Sequence, residues 1–297
     1  MRILHFSDVH VDVPPSEIPL RDWLGKRLVG GLNHALRRRP HFARAKEKLA
    51  ALARFAEAER IDLALGTGDF TILGSEAELA AAEAAVAPLA ARPLGLAVLP
   101  GNHDLYLPDG VREARFERHF ARWMTNDCED LATEGGWPRV RLFPGCAIVF
   151  VSSARPNPEP WRSSGRVPEA QLAGLRRAIV DSRLRDRFVI VATHYAPRKA
   201  SGQPDSALHG LENADALLEA LGEIERGCLV HGHIHHHYRL DLPGVRTPIL
   251  CAGSTTQEGR EGLWILEVDA TGNATATPGR WEDGRGYVAD AAVARPL

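Results

Sequence analysis

The sequence predicts one α/β domain in which helices cover packed β-sheets. Short apolar runs alternate with amphipathic stretches in the first part of the chain, which is typical of strands followed by helices. Strand-like runs become denser toward the C-terminus, and no internal repeat or linker interrupts the 297 residues. A chain of this length can bury a large core without disulfides.

The predicted strands are short runs of apolar residues, at 2–7, 61–65, 96–99, 147–151, 188–193, 228–231, 248–252 and 263–268. The predicted helices have apolar residues at helical spacing, at 44–58, 75–87, 111–124, 168–179 and 213–221. Ser75 and Glu78 form a capping-box pattern at the start of one helix. Residues 271–297 are rich in Gly, Pro and Ala, so we expect a domain over 1–270 and a loose C-terminal tail.

Composition excludes several classes of protein. The 36 basic and 38 acidic residues nearly balance, which argues against a dedicated nucleic-acid binder. No apolar run approaches 18 residues, and the first strand begins at Arg2 without a leader, so we expect a cytoplasmic protein. None of the four cysteines forms a C-x-x-C pair, which predicts buried, reduced thiols.

Residues that carry chemistry follow five of the predicted strands, where open α/β sheets hold their ligands. Carboxylates and neutral imidazoles suit divalent transition metals, and one carboxylate can bridge two ions. In chain order, these groups are Asp8-Val9-His10, Gly68-Asp69, Gly101-Asn102-His103-Asp104, His194 and Gly232-His233-Ile234-His235.

The order D-x-H, G-D, G-N-H-D, H and G-H-x-H over about residues 2–255 resembles the calcineurin-like metallophosphoesterases. The resemblance implies two central β-sheets flanked by helices, two divalent metal ions and attack by a metal-bridging hydroxide. It also implies the ligands, with Asp69 shared: Asp8, His10, Asp69 and His235 for one ion, and Asp69, Asn102, His194 and His233 for the other. Manganese or iron is the preferred metal, and zinc or magnesium is compatible with such mixed ligands.

The resemblance gives His103 and Asp104 catalytic roles. His103 would lie near the leaving-group oxygen, as a general acid or a positive stabiliser of the transition state. Asp104 would orient and charge-tune the His103 ring. We also predict substrate contacts for His209 and Arg198, which follow or lie close to His194 in the chain.

The expected reaction is hydrolysis of a phosphodiester, pyrophosphate or phosphomonoester, with a small or lipid-linked substrate. The segment Gly68-Asp69-Phe70-Thr71-Ile72 lacks the G-D-x-V-D-R-G signature, which argues against a phosphoprotein phosphatase. It is more similar to bacterial cyclic-nucleotide phosphodiesterases, and a branch similar to UDP-diacylglucosamine hydrolases stays open. The alternatives are a nuclease of the same superfamily and a non-catalytic scaffold. The scaffold ranks last because all the motif positions are intact.

A basic amphipathic insertion at about 14–41 follows the first motif. Within it, 21–39 carries six basic residues and one aspartate, a net charge of +5, and four leucines recur every four residues. Three interpretations stand: a solvated helix that covers the sheet, an interfacial helix that contacts a membrane or an amphiphilic phospho-substrate, or a patch for nucleotide or nucleic-acid phosphates.

Overall fold

The computed structural model describes residues 1–23, 25–133 and 135–297, and it gives the backbone but not the side chain of Arg37. Leu24, one of the regularly spaced leucines of the basic segment, lies outside the described residues.

Thirteen strands and eight α-helices are described in these ranges. The strands are β1 Arg2–Phe6, β2 Leu63–Gly66, β3 Leu96–Val98, β4 Arg139–Phe143, β5 Cys146–Phe150, β6 Phe188–Ala192, β7 Gly227–His231, β8 His237–Leu240, β9 Ile249–Ala252, β10 Leu263–Val268, β11 Ala274–Glu282, β12 Gly286–Ala289 and β13 Arg295–Pro296. The helices are α1 Lys26–Asn33, α2 Arg39–Phe42, α3 Ala45–Ala58, α4 Glu76–Val86, α5 Pro108–Arg112, α6 Arg115–Phe120, α7 Glu169–Val180 and α8 Ala214–Leu221.

The strands form two mixed sheets. The first has the order β12-β11-β10-β1-β2-β3, with β13 paired to β11, and its strands β1, β2 and β3 are parallel. The second has the order β4-β5-β6-β7-β9-β8, and its four central strands are parallel. Parallel neighbours point their carboxyl ends to the same edge of a sheet. Each of the two sheets therefore collects the carboxyl ends of its parallel strands at one edge.

Side chains alternate between two apolar layers. In β5, Ile148 and Phe150 belong to the cluster between the sheets, whereas Ala147 and Val149 belong to the cluster under α7 and α8. This period of two places every β5 side chain in one of two cores, as a strand buried on both faces requires. The predicted two-sheet sandwich flanked by helices is confirmed.

The region expected to be a loose tail, 271–297, is instead ordered as strands. β11 pairs with β10 from Leu263↔Gly279 to Val268↔Ala274, and β12 pairs with β11. Tyr287 of β12 is buried and its ring lies 6.1 Å from that of Phe55 in α3. Because many side chains of β11 are small, apolar and polar residues do not alternate clearly along it, and the sequence does not indicate a strand. The strand is stabilised by pairing with the edge of β10.

The helix predicted over 111–124 is broken. α5 ends at Arg112, and Ala114 adopts a left-handed backbone with φ of 49° before α6 begins. By contrast, the predicted capping box is confirmed, because the Ser75 hydroxyl accepts a hydrogen bond from the Glu78 amide and the Glu78 carboxylate accepts one from the Ser75 amide.

The basic segment forms α1, a π-helical turn over His34–Arg38, and α2. The two cations of α1 point inward, whereas Arg21 is exposed: Lys26 Nζ donates to two backbone carbonyls, and Arg27 pairs with Asp109 at 2.7 Å. Its leucines point outward and have high exposed fractions, namely 48% for Leu28, 55% for Leu32 and 79% for Leu36. An ordinary surface helix buries its apolar residues and exposes its charged ones, whereas here two cations are buried and the leucines are exposed.

The described helices are all too short or too polar to cross a bilayer. All four cysteines are buried and free of disulfides.

Candidate metal centre

The five chemical motifs converge at the carboxyl ends of strands from both sheets. Asp8 follows β1 and Asp69 follows β2 in the first sheet, while His194 follows β6 and His233 follows β7 in the second. Two groups of ligand atoms, each within 4.8 Å of one another, lie there: Asp8, His10, Asp69 and His235, and Asp69, His194 and His233. Asp69 belongs to both groups, and its Oδ2 lies 3.8 Å from His10 Nε2 and 3.4 Å from His194 Nε2, so this carboxylate would be shared if both groups bind an ion.

The backbone at this edge is held in an unusual conformation. Among the described residues, seven non-glycine residues have positive φ, and five of them belong to the two groups: Asp8, His10, Asp69, His233 and His235, at 46° to 69°. A left-handed conformation is unfavourable for residues with a side chain and concentrates at functional sites. The fold therefore sustains local strain in order to point these side chains at one another.

Glycines of the motifs allow the strand ends to approach closely. A Cβ atom on Gly101 would lie 2.1 Å from Asp69 Oδ1, and one on Gly232 would lie 1.9 Å from Ser7 Oγ. Both distances are far below contact distance, so each position requires glycine.

Backbone carbonyls fix the tautomers of three candidate ligands. A carbonyl oxygen can only accept, so the ring nitrogen facing it carries the proton. The pairs are His10 Nδ1 with Thr71 O at 3.0 Å, His194 Nδ1 with Thr67 O at 2.8 Å, and His233 Nε2 with His209 O at 2.9 Å. In the neutral ring, the other nitrogen then presents its lone pair to the cluster, as in metal-binding histidines.

The remaining nitrogens and oxygens converge. His10 Nε2 lies 3.0 Å from His235 Nε2, and Asn102 Oδ1 lies 3.1 Å from His194 Nε2 and 3.0 Å from His233 Nδ1. In the neutral tautomers described above, these lone pairs face one another, and a proton or a metal ion between them relieves their repulsion. The mixed nitrogen and oxygen donor set fits divalent metal ions, and Asn102 Oδ1 lies against two nitrogens of the second group.

Electrostatics at the cluster favours positive charge. Although burial alone would raise the pKa of Asp69, the neighbouring His194 and His103 hold it well below its usual range. Burial lowers the pKa of His194, but the Asp69 carboxylate outweighs it and raises that pKa to about 9. A metal ion must therefore displace a proton from His194, which links metal binding to proton release.

His103 lies beside the Asp69 carboxylate, which both donor groups share. Its backbone amide donates to Asp69 Oδ1 at 2.8 Å, and its Nδ1–H donates to the carbonyl of Ile72. The ring stacks on Tyr106 at 5.6 Å, so Nε2 is the nitrogen left for a substrate. Burial lowers the pKa of His103 to about 4, which keeps the ring neutral before an anionic ligand binds.

Asp104 does not lie where the predicted role in tuning His103 requires. Its Oδ1 accepts hydrogen bonds from the amides of Phe70 and Thr71 and from the Thr71 hydroxyl, and its Oδ2 accepts one from the Gly101 amide. The Ile72 carbonyl takes the place expected for Asp104 at the His103 ring. Asp104 joins the loops after β2 and β3, so it supports the geometry of Asp69 and Asn102.

The cluster opens into a cavity of about 630 Å³. His209 lines this cavity, as its predicted contact with substrate requires. Arg198 instead pairs with Asp215 of α8, and its neighbour Lys199 faces the cavity. The lining also includes Arg38, from the basic segment 21–39 that the sequence offers as a patch for phosphates, and Arg260, for which the sequence predicts no role.

Gln257 is a further missed residue, because its side-chain oxygen accepts a hydrogen bond from His235 Nδ1. A lone glutamine in the stretch Ser254–Gln257 gives no sequence signal for this role.

Two packed sheets with this cluster of donors at their strand ends define a metallophosphoesterase. Residues 1–237 match the model of the family described as calcineurin-like phosphoesterase. The chain belongs to that family, a class of hydrolases acting on phosphoric esters, as the motifs predict.

Similar proteins agree with this assignment. The chain is 30% identical over 183 residues to a 3′,5′-cyclic adenosine monophosphate phosphodiesterase from Pseudomonas aeruginosa, a match that covers 61% of this chain and 57% of that protein. The match thus spans little more than half the length of that relative.

Two solved structures share the fold. A dimetal phosphatase from Danio rerio has a TM-score of 0.63 and 14% identity, with 97% of this chain and 98% of that chain covered. A purple acid phosphatase from yellow lupin (Lupinus luteus) seeds has a TM-score of 0.61 and 11% identity, with 97% and 52% covered.

Proposed function

We propose that this chain hydrolyses a phosphodiester with two divalent metal ions held by the two donor groups. The observation that carries the proposal is the pair of groups sharing Asp69, with histidine tautomers set by backbone carbonyls. Asp8, His10 and His235 would complete one site, and Asn102, His194 and His233 the other. When bound, the ions supply Lewis acidity toward phosphoryl oxygens and lower the pKa of water.

In the proposed reaction, a water that has released one proton to solvent bonds through its oxygen to phosphorus as the ester P–O bond breaks. Protonated His103 donates its Nε2 proton to the departing alkoxide, while the Ile72 carbonyl holds the opposite side of the ring. An anionic phosphate beside Nε2 favours the imidazolium form and so offsets the lowering by burial. The bridging hydroxide expected as nucleophile stays a prediction.

The relative from Pseudomonas aeruginosa makes a cyclic nucleotide the first phosphodiester to test. Pyrophosphates, phosphomonoesters and lipid-linked esters are further candidates, and nuclease activity is the alternative. The non-catalytic scaffold is disfavoured by the complete donor set. Manganese or iron as the metal and a cytoplasmic location also stay predictions.

The direct test is a substrate panel with matched metals. The apoprotein is loaded in turn with Mn²⁺, Fe²⁺, Zn²⁺ or Mg²⁺, its metal content is measured by mass spectrometry, and each form is assayed. The substrates are bis-p-nitrophenyl phosphate, p-nitrophenyl phosphate, cyclic nucleotides, nucleotide diphosphosugars and single-stranded DNA. We expect about two ions per chain and highest turnover on a phosphodiester. A protein that binds no metal, or turns over none of these compounds, contradicts the proposal.

The Asp69→Ala variant tests the proposed bridging role of Asp69. Asp69→Ala should lose both ions and nearly all turnover, because its carboxylate serves both donor groups. Asp215→Asn is the matched control, since this aspartate is highly exposed and pairs with Arg198 away from the cluster. Retained turnover in Asp69→Ala would refute the bridging role.

We propose as well that 21–39 contacts membrane surfaces. The supporting observation is the outward row of Leu28, Leu32 and Leu36 on a segment with a net charge of +5. In co-sedimentation with vesicles containing anionic lipid, Leu32→Glu should shift protein to the supernatant, whereas Leu94→Glu, an exposed leucine elsewhere, should not. Equal recovery of wild-type protein in the supernatant with and without vesicles removes the membrane proposal.

A further inference from the structure

Arg38 brings a positive charge from the basic segment to the edge of the metal cluster. It ends the π-helical turn and lines the main cavity. Its guanidinium lies 5.5 Å from the centre of the Phe42 ring, and the same ring packs 4.9 Å from His10 and 6.3 Å from His235. Phe42 thereby places Arg38 beside two histidines of one donor group.

The hydrogen-bond donors of Arg38 are available to a ligand. Neighbouring cations pair with carboxylates: Arg27 with Asp109 at 2.7 Å and Arg39 with Asp12 at 3.4 Å. Within the described part of the chain, the guanidinium of Arg38 has no oxygen acceptor and contacts the Phe42 ring. A guanidinium stays charged at neutral pH, and its paired N–H groups match the oxygens of a phosphate.

A second chamber, of about 430 Å³, opens beyond Arg38. It lies between α1 and the loop around Trp161, and its lining includes Val29, Tyr106 and Trp161. Its described lining contains cations but no carboxylate. The ammonium of Lys26, one of these cations, donates hydrogen bonds to two backbone carbonyls. Burial lowers its pKa to about 8, against the nearby Glu159 carboxylate, which raises it.

The two cavities meet at the catalytic edge. Arg38, Asn102, His103, Ser163 and His209 line both of them. Asp69, His233 and His235 line the first cavity but not the second chamber, which therefore extends from the His103 side of the cluster. In the proposed reaction this is the side of the departing oxygen, and the aromatic and apolar residues of the chamber can pack against an organic alcohol.

We propose that Arg38 binds a non-bridging oxygen of the substrate phosphate and that the second chamber holds the alcohol half of a phosphodiester with an aromatic or apolar surface. This proposal rests on the phosphodiesterase function proposed above. It assigns to the basic segment a part in substrate selection, through one arginine and one face of α1.

Arg38→Gln tests the phosphate contact. Calorimetric titration of the Mn²⁺-loaded protein with inorganic phosphate should show at least tenfold weaker binding, and kcat/KM for bis-p-nitrophenyl phosphate should fall by about 10²-fold. Metal content should stay at the wild-type level, and Arg38→Lys should be intermediate because it keeps the charge but not the paired donors. Arg39→Gln is the matched control, since Arg39 pairs with Asp12 on the surface.

Val29→Trp tests the chamber without changing a charge. The larger side chain should obstruct the chamber, lower kcat/KM for bis-p-nitrophenyl phosphate at least tenfold, and leave inorganic-phosphate binding unchanged. Val180→Trp, at an exposed position of α7, is the control for adding a tryptophan to a helix surface.

The outcomes separate the two proposals. Wild-type protein that lacks metal and activity overturns the proposed function. Active wild-type protein whose Arg38→Gln variant binds phosphate normally, or loses its metal, overturns the role of Arg38. A Val29→Trp variant with normal diester turnover, or with equally weakened phosphate binding, overturns the role of the chamber.

Discussion

A variant of His103 can test the proposed proton transfer separately from metal binding. Its ring is fixed by Ile72 and Tyr106 and is absent from both donor groups, so the metal sites do not depend on its nitrogen. His103→Gln should therefore keep metal content near the wild-type level while kcat falls by about 10²-fold or more. Metal analysis and steady-state kinetics on one preparation check this. Wild-type kcat in the variant contradicts a proton-donating His103.

Glu78 gives a prediction for stability. Burial raises its pKa from the ordinary 4.5 to about 7. Between these values the folded protein binds more protons than the unfolded chain, so this group makes stability fall as pH rises from about 4.5 to about 7. Glu78→Gln stays neutral and can keep the capping box.

Relative to Glu78→Gln, the wild type should lose on the order of 2–3 kcal/mol of unfolding free energy across that window. Urea denaturation of both proteins at pH 5, 6, 7 and 8 measures the difference. Parallel pH profiles for the two proteins contradict a buried, neutral Glu78.

At the residue scale, sequence motifs identified the donors but not their surroundings. Asp8, Asp69 and His194 stand directly after predicted strands, and the structure brings them together. Arg38 and Gln257 could not be identified, because their roles depend on a helical turn and a loop that reach the cluster from other parts of the fold. Asp104 was misjudged because adjacency to His103 in sequence does not determine which group faces its ring.

At the scale of elements, the loops after β2 and β3 pack so closely that we expect a side chain at Gly101 to separate them. In Gly101→Ala, the new Cβ would lie 2.1 Å from Asp69 Oδ1 and 2.4 Å from Asp69 N, so the loops must separate and metal binding should fall at least tenfold. Gly110→Ala in α5 is the control, because its Cβ would meet its nearest neighbour at an ordinary 3.8 Å. Metal titration of both variants checks this, and wild-type affinity in Gly101→Ala contradicts it.

Elements with a strong local pattern could be predicted, and those set by distant contacts could not. β1, β6 and α4 have continuous apolar runs or a capping box, and their predicted bounds agree with the structure to within a residue or two. β11 has small residues and is stabilised by the edge of β10, a partner chosen by topology. The inward cations of α1 likewise depend on carbonyls and carboxylates from loops far along the chain.

At the scale of the whole molecule, the two donor groups connect the two sheets. Asp8 and Asp69 come from the first sheet, and His194 and His233 from the second. Ions bound there by folded but not unfolded protein should stabilise the fold, by about 2.7 kcal/mol at a metal concentration one hundred times Kd. Scanning calorimetry with excess EDTA and then with Mn²⁺ should show Tm higher by about 5 °C or more with metal.

Asp69→Ala is the control for that measurement, and it should show little increase in Tm. An equal increase in the variant and the wild type would mean that Mn²⁺ stabilises the protein at some other place.

The hydrogen bond from His233 to the carbonyl of His209 couples two parts of the molecule that act on different partners. In the proposed function, the cavity that His209 lines would hold substrate, whereas the donor group of His233 would hold a metal ion. A ligand that moves the loop around His209 would also move the hydrogen-bonded imidazole of His233. Substrate binding and the affinity for the metal ion would then depend on each other. Selectivity for one cation over another can then differ between the resting and the substrate-loaded enzyme.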